Sequence, residues 1–523
     1  MTQRCDDGFA AATRREFIHG AGITFAIAAT NLSGTNSAFA QTAGTASDAV
    51  LEPNIWVSIG VDDSITIRYG GTEMGQGSMT SLPVVLAEEL DADWANVRVE
   101  IYPHHDPRYG NPRAFGYYGF PILYSAGSTT LFGYFDAMRQ AGAQARAFLI
   151  DAAARELGVP AAELSSAPSR VVHGATGRSL TYGQIAAVAE QPQSLPEVDP
   201  GDYKSPAEFR LIGHDVPRVD IRAKTNGSAQ FGIDAQVPGM VYASILRAPV
   251  EGETPLEIDD AAARDIPGVT DIVTVPSGVA VVGERFEATL RGRSALRVTW
   301  SNDSRFRRAE LEQDLDEYEA RASDLTFSTD NPYWQDVGDI DAALADADRV
   351  LEAVYRTDPA YHAQMEPMNA TASVSADGKS AEIWVSTQTQ SLSVMGAAEA
   401  LETSMDNITL HPMYIGGGYG RRAEYRQKYI DDALFVSRAV GRPVKVMWTR
   451  EDDVKDGAFR PLAAQYLRAG LDRNGRIVAL HQRVATPTVL GYMNEPRWEL
   501  AGGRDGIAMN GAQTSRYSIE NIR

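Results

Sequence analysis

The stretch Met413-Tyr-Ile-Gly-Gly-Gly-Tyr-Gly-Arg-Arg422 joins an apolar run to a cluster of glycines and two arginines, and a helical pattern follows it. Consecutive glycines let backbone amides approach an anion closely, and arginines supply positive charge. An ordinary glycine-rich turn explains the same residues equally well. The stretch lacks the lysine of a Walker motif and the spacing of a Rossmann fingerprint, which makes ATP and NAD poor candidate ligands.

A second glycine element lies nearer the amino end. Glu73-Met-Gly-Gln-Gly77 joins a predicted strand to a helix predicted to start near Thr80. The amides of this element and the helix N-terminus could hold a phosphate or pyrophosphate group. A plain turn between a hairpin and a helix is the alternative interpretation.

Three other polar segments are weaker candidates. Trp384-Val-Ser-Thr-Gln388 has the pattern of a strand, so Gln388 taken alone is a strand residue. Residues 362–371 are polar between apolar neighbours, and Glu366 among them is expected to be structural when judged by itself. Residues 104–106, His-His-Asp, are adjacent and therefore predict a surface loop rather than a metal site.

Composition limits the classes of function. The chain has 523 residues, 44% of them hydrophobic, which is enough for a large core and about two to four domains. Its 48 Lys+Arg against 69 Asp+Glu give a net charge of −21, which argues against nucleic acid or anionic lipid as a partner. Cys5 is the single cysteine, so processing of the amino end would leave no thiol for a disulfide, a nucleophile or an iron–sulfur cluster.

The amino end has the features of an export signal. Thr13-Arg-Arg-Glu-Phe17 precedes an apolar stretch at residues 21–29, and Ala38-Phe-Ala40 follows. This order is typical of a twin-arginine signal peptide, so residues 1–40 are predicted to be removed and the chain to be periplasmic. The apolar stretch is too short for a membrane anchor, and no transmembrane segment is expected in the mature chain.

The rest of the sequence mixes strands and helices. Alternating apolar residues predict a hairpin over Trp56–Tyr69, and helical spacing predicts a helix over about Leu131–Leu157 that stops at Gly158. Prolines at four positions between 191 and 206 predict a linker. Further predicted elements are short strands between Leu211 and Trp300 and a helix over about Gln427–Val440 before Gly441. This pattern predicts an α+β fold.

One more pair of motifs completes a recognisable series. Gly213-His-Asp-Val-Pro-Arg-Val-Asp220 is followed by Lys224-Thr-Asn-Gly-Ser-Ala-Gln-Phe-Gly-Ile-Asp234 and by short strands. Together with the two glycine elements and Gln388, these motifs resemble, in type and order, those of the molybdopterin-binding large subunits of the xanthine dehydrogenase and aldehyde oxidase family. The resemblance covers nearly all of the mature chain and is strongest to the branch typified by the isoquinoline 1-oxidoreductase beta subunit.

The resemblance implies a multidomain molybdenum hydroxylase large subunit. Its implied parts are an N-terminal molybdopterin-binding segment with Gly-Gln-Gly (41–205), an α/β hammerhead domain (206–302) and a molybdopterin-binding domain (303–523). The family's G-x-G-E-like motif, which holds the general base, and a further cofactor loop are not recognisable. The last domain is therefore expected to be C-terminally incomplete, through truncation or because a second polypeptide completes the site. Neither Glu366 nor Glu424 matches the motif, so the general base is expected to be absent from this chain.

The resemblance also implies the cofactor and its ligands. Molybdenum is implied to be held by the dithiolene of a pterin, as the molybdopterin cytosine dinucleotide, with no metal ligand from the protein. Gln388 is implied to hydrogen-bond an oxygen ligand of the metal, and the backbone amide of Gly420 to do the same. The implied cofactor-binding residues are Gly75, Gln76, Gly77, Gly416, Gly417, Gly418, Tyr419 and Gly420.

The implied reaction is hydroxylation of a small N-heteroaromatic substrate with oxygen from water. Because a chain without cysteine cannot ligate an iron–sulfur cluster, electrons are expected to pass to a small partner subunit carrying [2Fe-2S] clusters, with a cytochrome c subunit as a further acceptor. Two alternatives stay open. One is a periplasmic molybdopterin aldehyde dehydrogenase subunit, and the other is a non-catalytic periplasmic binding or scaffold subunit.

Overall fold

The computed structural model describes residues 50–102, 106–114, 118–307, 311–327, 333–512 and 517–523. The predicted signal peptide with Cys5, and residues His104 and His105, lie outside the described residues. The described chain combines helices with largely antiparallel sheets, which confirms the predicted α+β class.

The strands of the described residues are β1 (Val50–Asn54), β2 (Val57–Gly60), β3 (Ile65–Tyr69), β4 (Val97–Ile101), β5 (Leu164–Ala167), β6 (Arg170–His173), β7 (Ser179–Thr181), β8 (Val241–Arg247), β9 (Pro255–Asp259), β10 (Val269–Val275), β11 (Gly278–Gly283), β12 (Arg297–Trp300), β13 (Arg349–Thr357), β14 (Asn369–Val374), β15 (Ala381–Val385), β16 (Ile408–Pro412), β17 (Val444–Met447), β18 (Ala463–Leu471), β19 (Ile477–Ala485) and β20 (Asn521–Ile522). The α-helices of the same residues are α1 (Ser78–Leu90), α2 (Thr130–Leu157), α3 (Tyr182–Ala186), α4 (Ile221–Asn226), α5 (Ala261–Arg264), α6 (Phe286–Ala295), α7 (Leu311–Ser323), α8 (Ile340–Ala345), α9 (Gln390–Ala400), α10 (Lys428–Val440), α11 (Arg450–Asp456), α12 (Val489–Met493) and α13 (Glu495–Leu500).

The amino-terminal sheet has the order β1-β2-β3-β4. Strands β2 and β3 form the predicted hairpin, with Val57 opposite Ile67, and alternate residues of β3 are buried. Helices α1 and α2 pack on each other and complete this core. Gly142 permits their close approach, because a Cβ at this position would lie 2.4 Å from the carbonyl oxygen of Leu86.

Two predicted helices end where the sequence indicated. Helix α2 ends at Gly158 and helix α10 at Gly441, with φ of 68° and 65° in the left-handed region that glycine adopts without strain. Each glycine amide donates back to a carbonyl of the last helical turn at 2.9 Å.

Residues 191–206, the predicted linker, contain neither an α-helix nor a strand. The segment is nevertheless fixed to the end of α1, because Nζ of Lys204 lies 3.0 Å from Glu88 and also pairs with Asp91. Burial alone would raise the pKa of Glu88, but hydrogen bonds from the backbone amides of residues 210–212 and from Lys204 lower it overall. The buried carboxylate of Glu88 therefore binds both the linker, at Lys204, and the start of the next unit, at residues 210–212.

A seven-stranded sheet of order β10-β11-β8-β17-β14-β15-β16 lies at the centre of the second half of the chain. Strand β8 pairs in parallel with β17, with Ala243 opposite Val446. The predicted boundary between residues 302 and 303 therefore does not separate two sheets, because strands from the 206–302 range continue the sheet of the 303–523 range. Helices α9 and α10 bury their apolar residues against this sheet.

A four-stranded sheet of order β13-β18-β19-β20 includes the last described residues, and helices α7 and α8 pack against it. Among the described residues, no helix has both the length and the apolar content needed to cross a membrane.

Candidate functional site

The two glycine turns lie side by side. Residues 73–77 lead into α1 and residues 416–420 follow β16. The backbone amide of Ile415 donates to the carbonyl oxygen of Glu73 at 3.0 Å. Two segments that are far apart in the chain thus meet at one place. The sequence could indicate this only through the family resemblance.

Helix α9 and the segment before α2 strengthen this contact. Nε2 of Gln390 donates to the carbonyl of Gly71 at 3.3 Å, and Oγ of Ser125 accepts from the amide of Thr72 at 3.0 Å. The amide of Ser125 donates in turn to the carbonyl of Gln388 at 2.8 Å. Ser125 therefore ties the first turn to the residue predicted to face the metal.

The first turn is organised around the buried carboxylate of Glu73. Gly75 and Gly77 have φ of 104° and 82°. Oε1 of Glu73 accepts from their amides at 2.8 and 3.2 Å, and Oε2 accepts from the amide of Met79 at 3.2 Å. A carboxylate is favoured at the N-terminus of α1 by the helix dipole. The predicted anion-binding amides of Gly75 and Gly77 are thus occupied by a side chain of the same turn.

Gln76, the middle residue of the turn, is exposed and stabilises the turn through its side chain. Its Oε1 accepts from the amide of Met74 at 2.7 Å, and its Nε2 donates to the carbonyl of Thr72 at 2.8 Å and to Oγ of Ser78 at 2.7 Å. The side chain therefore holds the turn closed, while its backbone faces solvent.

An ion-pair cluster that sequence reasoning missed surrounds Glu73. Arg218 lies 3.2 Å from Glu73 and 2.6 Å from Asp220, and Lys224 lies 3.6 Å and 2.6 Å from the same two carboxylates. Burial would raise the pKa of Asp220, but the hydrogen bonds and charges of the two cations lower it to about 2. These residues belong to the motif quoted for the hammerhead, so the spacing of acidic and basic residues at 218, 220 and 224 was the available signal.

Gln388 and Gly420, both predicted to face the metal, contact each other. Oε1 of Gln388 accepts from the amides of Gly420 at 3.1 Å and Arg422 at 3.4 Å, and Nε2 donates to the carbonyl of Ser125 at 3.1 Å. Two N–H donors on one side and a carbonyl on the other fix which end of the amide is oxygen. The Gly420 amide is therefore committed to Gln388, whereas Nε2 of Gln388 keeps a second N–H.

The second turn packs against Glu366. Its Oε2 accepts from the amide of Gly416 at 2.9 Å and from Nη2 of the fully buried Arg422 at 3.3 Å. Its Oε1 accepts from the backbone amide of Ile233 and from the side-chain Nδ2 of Asn369, each at 3.0 Å, and from the hydroxyl of Ser386. Glu366 is thus a structural carboxylate, as its sequence context suggested.

Position 418 has no space for a side chain. A Cβ there would lie 2.7 Å from Oε1 of Gln388 and 3.1 Å from Sδ of Met74. Tyr419 next to it adopts a φ of 52° and leaves 63% of its surface exposed, and its carbonyl accepts from Arg460 at 3.3 Å. The turn therefore packs tightly against Gln388 on one side and presents Tyr419 to solvent on the other.

A group of polar side chains lies next to the second turn. Oδ2 of Asp453 accepts from Nε2 of Gln364 at 2.6 Å and from the hydroxyl of Tyr361 at 2.9 Å. Arg421 lies 2.8 Å from Glu424, and burial raises the pKa of the Glu424 carboxyl despite this cation. Glu424 is thus engaged by a neighbour on its own turn.

Comparison with known proteins identifies the family. A molybdopterin cofactor-binding domain model matches residues 326–493, and a second model of that description matches residues 7–211. The beta subunit of isoquinoline 1-oxidoreductase from Brevundimonas diminuta is 38% identical over 483 residues, which cover 86% of this chain and 61% of that protein. The chain belongs to the molybdopterin-binding large subunits of the xanthine dehydrogenase and aldehyde oxidase family.

Two further similarities accompany this family membership. A membrane-bound aldehyde dehydrogenase (pyrroloquinoline-quinone) from Gluconacetobacter polyoxogenes is 32% identical over 93% of this chain and 62% of its own length. The chain thus spans about three fifths of the length of these two relatives. The solved structure of quinoline 2-oxidoreductase from Pseudomonas putida 86 covers 52% of this chain and 39% of its own, with a TM-score of 0.44 and 19% identity, a likeness too low to support an argument about function.

The residues around the two turns fit a molybdopterin. Such a ligand presents many hydrogen-bonding atoms, and a site for it should contain buried polar atoms that lack protein partners. Buried side-chain atoms near the turns that have no hydrogen-bond partner among the described residues are Thr72 Oγ1, Gln364 Oε1, Asn369 Oδ1, Gln390 Oε1 and Arg421 Nε. Gly75 and Gly420 add exposed backbone where a Cβ would meet nothing within 4 Å. Donors, acceptors and open backbone are therefore all present where the turns converge.

Proposed function

We propose that the chain is the large subunit of a molybdenum hydroxylase that hydroxylates a small N-heteroaromatic compound of the isoquinoline type with oxygen from water. The observation that carries the proposal is the contact between the two glycine turns through Ile415 and Glu73, with Gln388 bonded to both the second turn and Ser125. The 38% identity to an isoquinoline 1-oxidoreductase subunit supports the substrate class.

We further propose the cofactor to be the molybdopterin cytosine dinucleotide. When bound, it supplies the molybdenum and sulfur ligands that perform the two-electron oxidation. Gly75, Gln76 and Gly77 would lie beside its phosphate portion, while Gly416–Gly420 would line its other side. The free N–H of Gln388 is the side-chain donor available to it, and the bonds from Gly420 and Arg422 hold that donor in one orientation.

We propose that the general base comes from outside the described residues, because the carboxylates near the two turns already have partners. Glu366 accepts five hydrogen bonds, Glu73 holds a turn, and Glu424 pairs with Arg421. A base must be free to take a proton from the reacting group. None of these three is free, so we propose that another segment or polypeptide completes an incomplete molybdopterin-binding domain.

We also propose the domain division 41–205, 206–302 and 303–523, with the middle part a hammerhead whose outer strands join the sheet of the third part. The signal motif in residues 1–40 supports export to the periplasm by the twin-arginine route. The lack of cysteine beyond Cys5 supports electron transfer to a separate [2Fe-2S] subunit and onward to a cytochrome c.

An aldehyde is the second candidate substrate. The 32% identity to an enzyme named as an aldehyde dehydrogenase favours it. In both cases the protein must hold the substrate carbon beside the cofactor and exclude competing reactions.

Isotope-labelled water distinguishes the candidates. The chain, produced with its electron-accepting subunit, is incubated with isoquinoline or with benzaldehyde in ¹⁸O-labelled water and an artificial electron acceptor. Labelled hydroxylated isoquinoline supports the proposal, and labelled benzoate alone supports the aldehyde alternative. Absence of both products in protein that carries no molybdenum would overturn the proposal in favour of a scaffold subunit.

A further inference from the structure

We propose that Arg218 binds the phosphate groups of the cofactor, with Lys224 behind it as the second cation of one anion-binding site beside the Gly75–Gly77 turn. The inference rests on the proposed function and deepens it. It assigns phosphate recognition to a segment outside both glycine turns.

The guanidinium of Arg218 is held in one orientation by carboxylates. Its Nε donates to Asp220 at 2.9 Å, and its Nη2 donates to Asp220 at 2.6 Å and to Glu73 at 3.2 Å. Its Nη1 donates to the carbonyl of Gly75 at 3.3 Å. An arginine has five N–H groups, so one N–H on Nη1 stays available, and 34% of the side chain is exposed.

Lys224 connects this cation to the second turn. Its Nζ lies between Asp220 and Glu73 and 5.2 Å from the ring centroid of Tyr414, which precedes Gly416–Gly420. The chain then continues to Gln230, whose carbonyl accepts from the Tyr414 amide at 3.1 Å. The segment from 218 to 230 therefore runs along both glycine turns and forms a third wall of the site.

Phosphate binding at this place depends on the wall of residues 218–230, because the amides of Gly75 and Gly77 already have an acceptor. Glu73 occupies the amides of Gly75 and Gly77, so an anion cannot use them. Gly77 lies next to Arg218, since a Cβ at this position would be 3.6 Å from Nη1 of Arg218, an ordinary van der Waals contact. The exposed backbone of Gly75 gives a ligand a direct approach to Nη1. A single charged N–H of arginine makes a strong hydrogen bond to a phosphate oxygen.

A second observation is a buried polar atom without a partner in the residue before Glu73. The hydroxyl of Thr72, a residue 2% exposed and adjacent to Glu73, has no hydrogen-bond partner among the described residues. Two buried carboxylates balance the charges of the two cations and fix their positions. One N–H of Arg218 is not used in these bonds and stays available to a ligand. A phosphate group bound at Nη1 would find a positioned donor that costs little side-chain entropy to order.

Chemical footprinting of the unmodified protein tests the proposal without a mutation. The full chain is treated with phenylglyoxal with and without inorganic pyrophosphate at constant ionic strength, and modified arginines are identified by mass spectrometry. We expect Arg218 to be protected by pyrophosphate and in cofactor-loaded protein, whereas the exposed Arg222 on α4 should react equally in all samples. Equal modification of Arg218 in all samples would overturn the proposal.

Matched variants give a second test. In full chain from a host that cannot make molybdopterin, pyrophosphate should raise the Tm of wild type and of Arg222→Gln, and the increase should be lost in Arg218→Gln. An undiminished increase in Arg218→Gln would contradict the role. Failure of the proposed function is seen separately, because wild-type protein from a competent host would then contain no molybdenum whatever the behaviour of Arg218.

Discussion

The side chain of Gln388 is the residue on which the geometry of the second turn depends. Its oxygen is the shared acceptor of two backbone amides, and its nitrogen donates to Ser125. Its role is therefore wider than the contact with a metal ligand that the sequence implied. Sequence comparison could place Gln388 near the cofactor, but the bond to Gly420 depends on how the turn folds back.

Replacing Gln388 by Ala should affect both stability and cofactor binding. Each buried group left unpaired costs about 1–3 kcal/mol, and Gly420, Arg422 and Ser125 would all lose their partner. We expect a lower free energy of unfolding and at least a twofold loss of bound molybdenum, measured by urea titration and by metal analysis. Gln482→Ala, which breaks one half-buried contact to Gln465, is the control. Unchanged stability and metal content in Gln388→Ala would contradict this role.

Glu366 offers a test of structural against catalytic function. Its removal leaves the buried charge of Arg422 without its carboxylate, and breaking such a pair costs about 3–5 kcal/mol. Glu366→Ala should therefore unfold at much lower urea concentration, while Glu382→Ala, whose side chain is 56% exposed, should unfold as wild type. A Glu366→Ala protein of normal stability with reduced turnover would instead indicate a catalytic base.

The residues that the sequence did not reveal share one property. Glu73 and Ser125 act through contacts with segments distant in the chain, and no local pattern encodes such contacts. Gly75–Gly77 and Gly416–Gly420 were recognisable because closely spaced glycines are a local feature of the sequence. The assignment of the Gly75 and Gly77 amides to a phosphate did not anticipate that Glu73 occupies them.

At the scale of elements, the two glycine turns are joined by direct packing. Position 418 faces Gln388 and Met74 closely enough that an added methyl group would push the turns apart. Local sequence predicted the hairpin and the ends of α2 and α10, because alternation, helical spacing and terminal glycines are short-range signals. Strand order was not predictable in this way, since β8 and β17 pair across about two hundred residues of chain.

Gly418→Ala should lower molybdenum content more than it lowers stability. The Cβ would clash with Gln388 and Met74 at the contact between the turns, where the cofactor is proposed to bind. Metal analysis of protein purified in parallel with Gly158→Ala provides the comparison, because Gly158 has a positive φ but open space around it. That control should lose about 1 kcal/mol of stability and keep its molybdenum. Equal molybdenum content in the two variants would contradict the packing argument.

At the scale of the whole molecule, buried carboxylates connect the site to acid stability. Asp220 has a folded pKa of about 2, below the 3.8 of a free side chain. A lowered folded pKa contributes stability that is complete above about pH 4 and is lost as the pH falls towards 2. The charge cluster thus stabilises the site at neutral pH and fails in acid.

Asp220→Asn should remove part of this pH dependence. The shift in the pKa of Asp220 corresponds to roughly 2 kcal/mol of stability. Between pH 4 and pH 2 the free energy of unfolding should therefore fall by about 2 kcal/mol more in the wild type than in Asp220→Asn. Urea unfolding at stepped pH measures the difference, with Asp303→Asn, a change at an exposed aspartate, as control. Parallel pH profiles of wild type and Asp220→Asn would show that Asp220 does not contribute.

The seven-stranded sheet unites the middle and last parts of the chain, and hydrogen bonds from the amides of Tyr414 and Ile415 join the second turn to the wall at Gln230 and to the first turn at Glu73. We propose that these segments converge around one molybdopterin. Metal and nucleotide analysis of protein purified from a host that makes the cofactor provides the test. We expect equimolar molybdenum and released cytidine monophosphate in wild type, with both strongly reduced in Gly418→Ala. Correctly folded wild-type protein containing neither would contradict it.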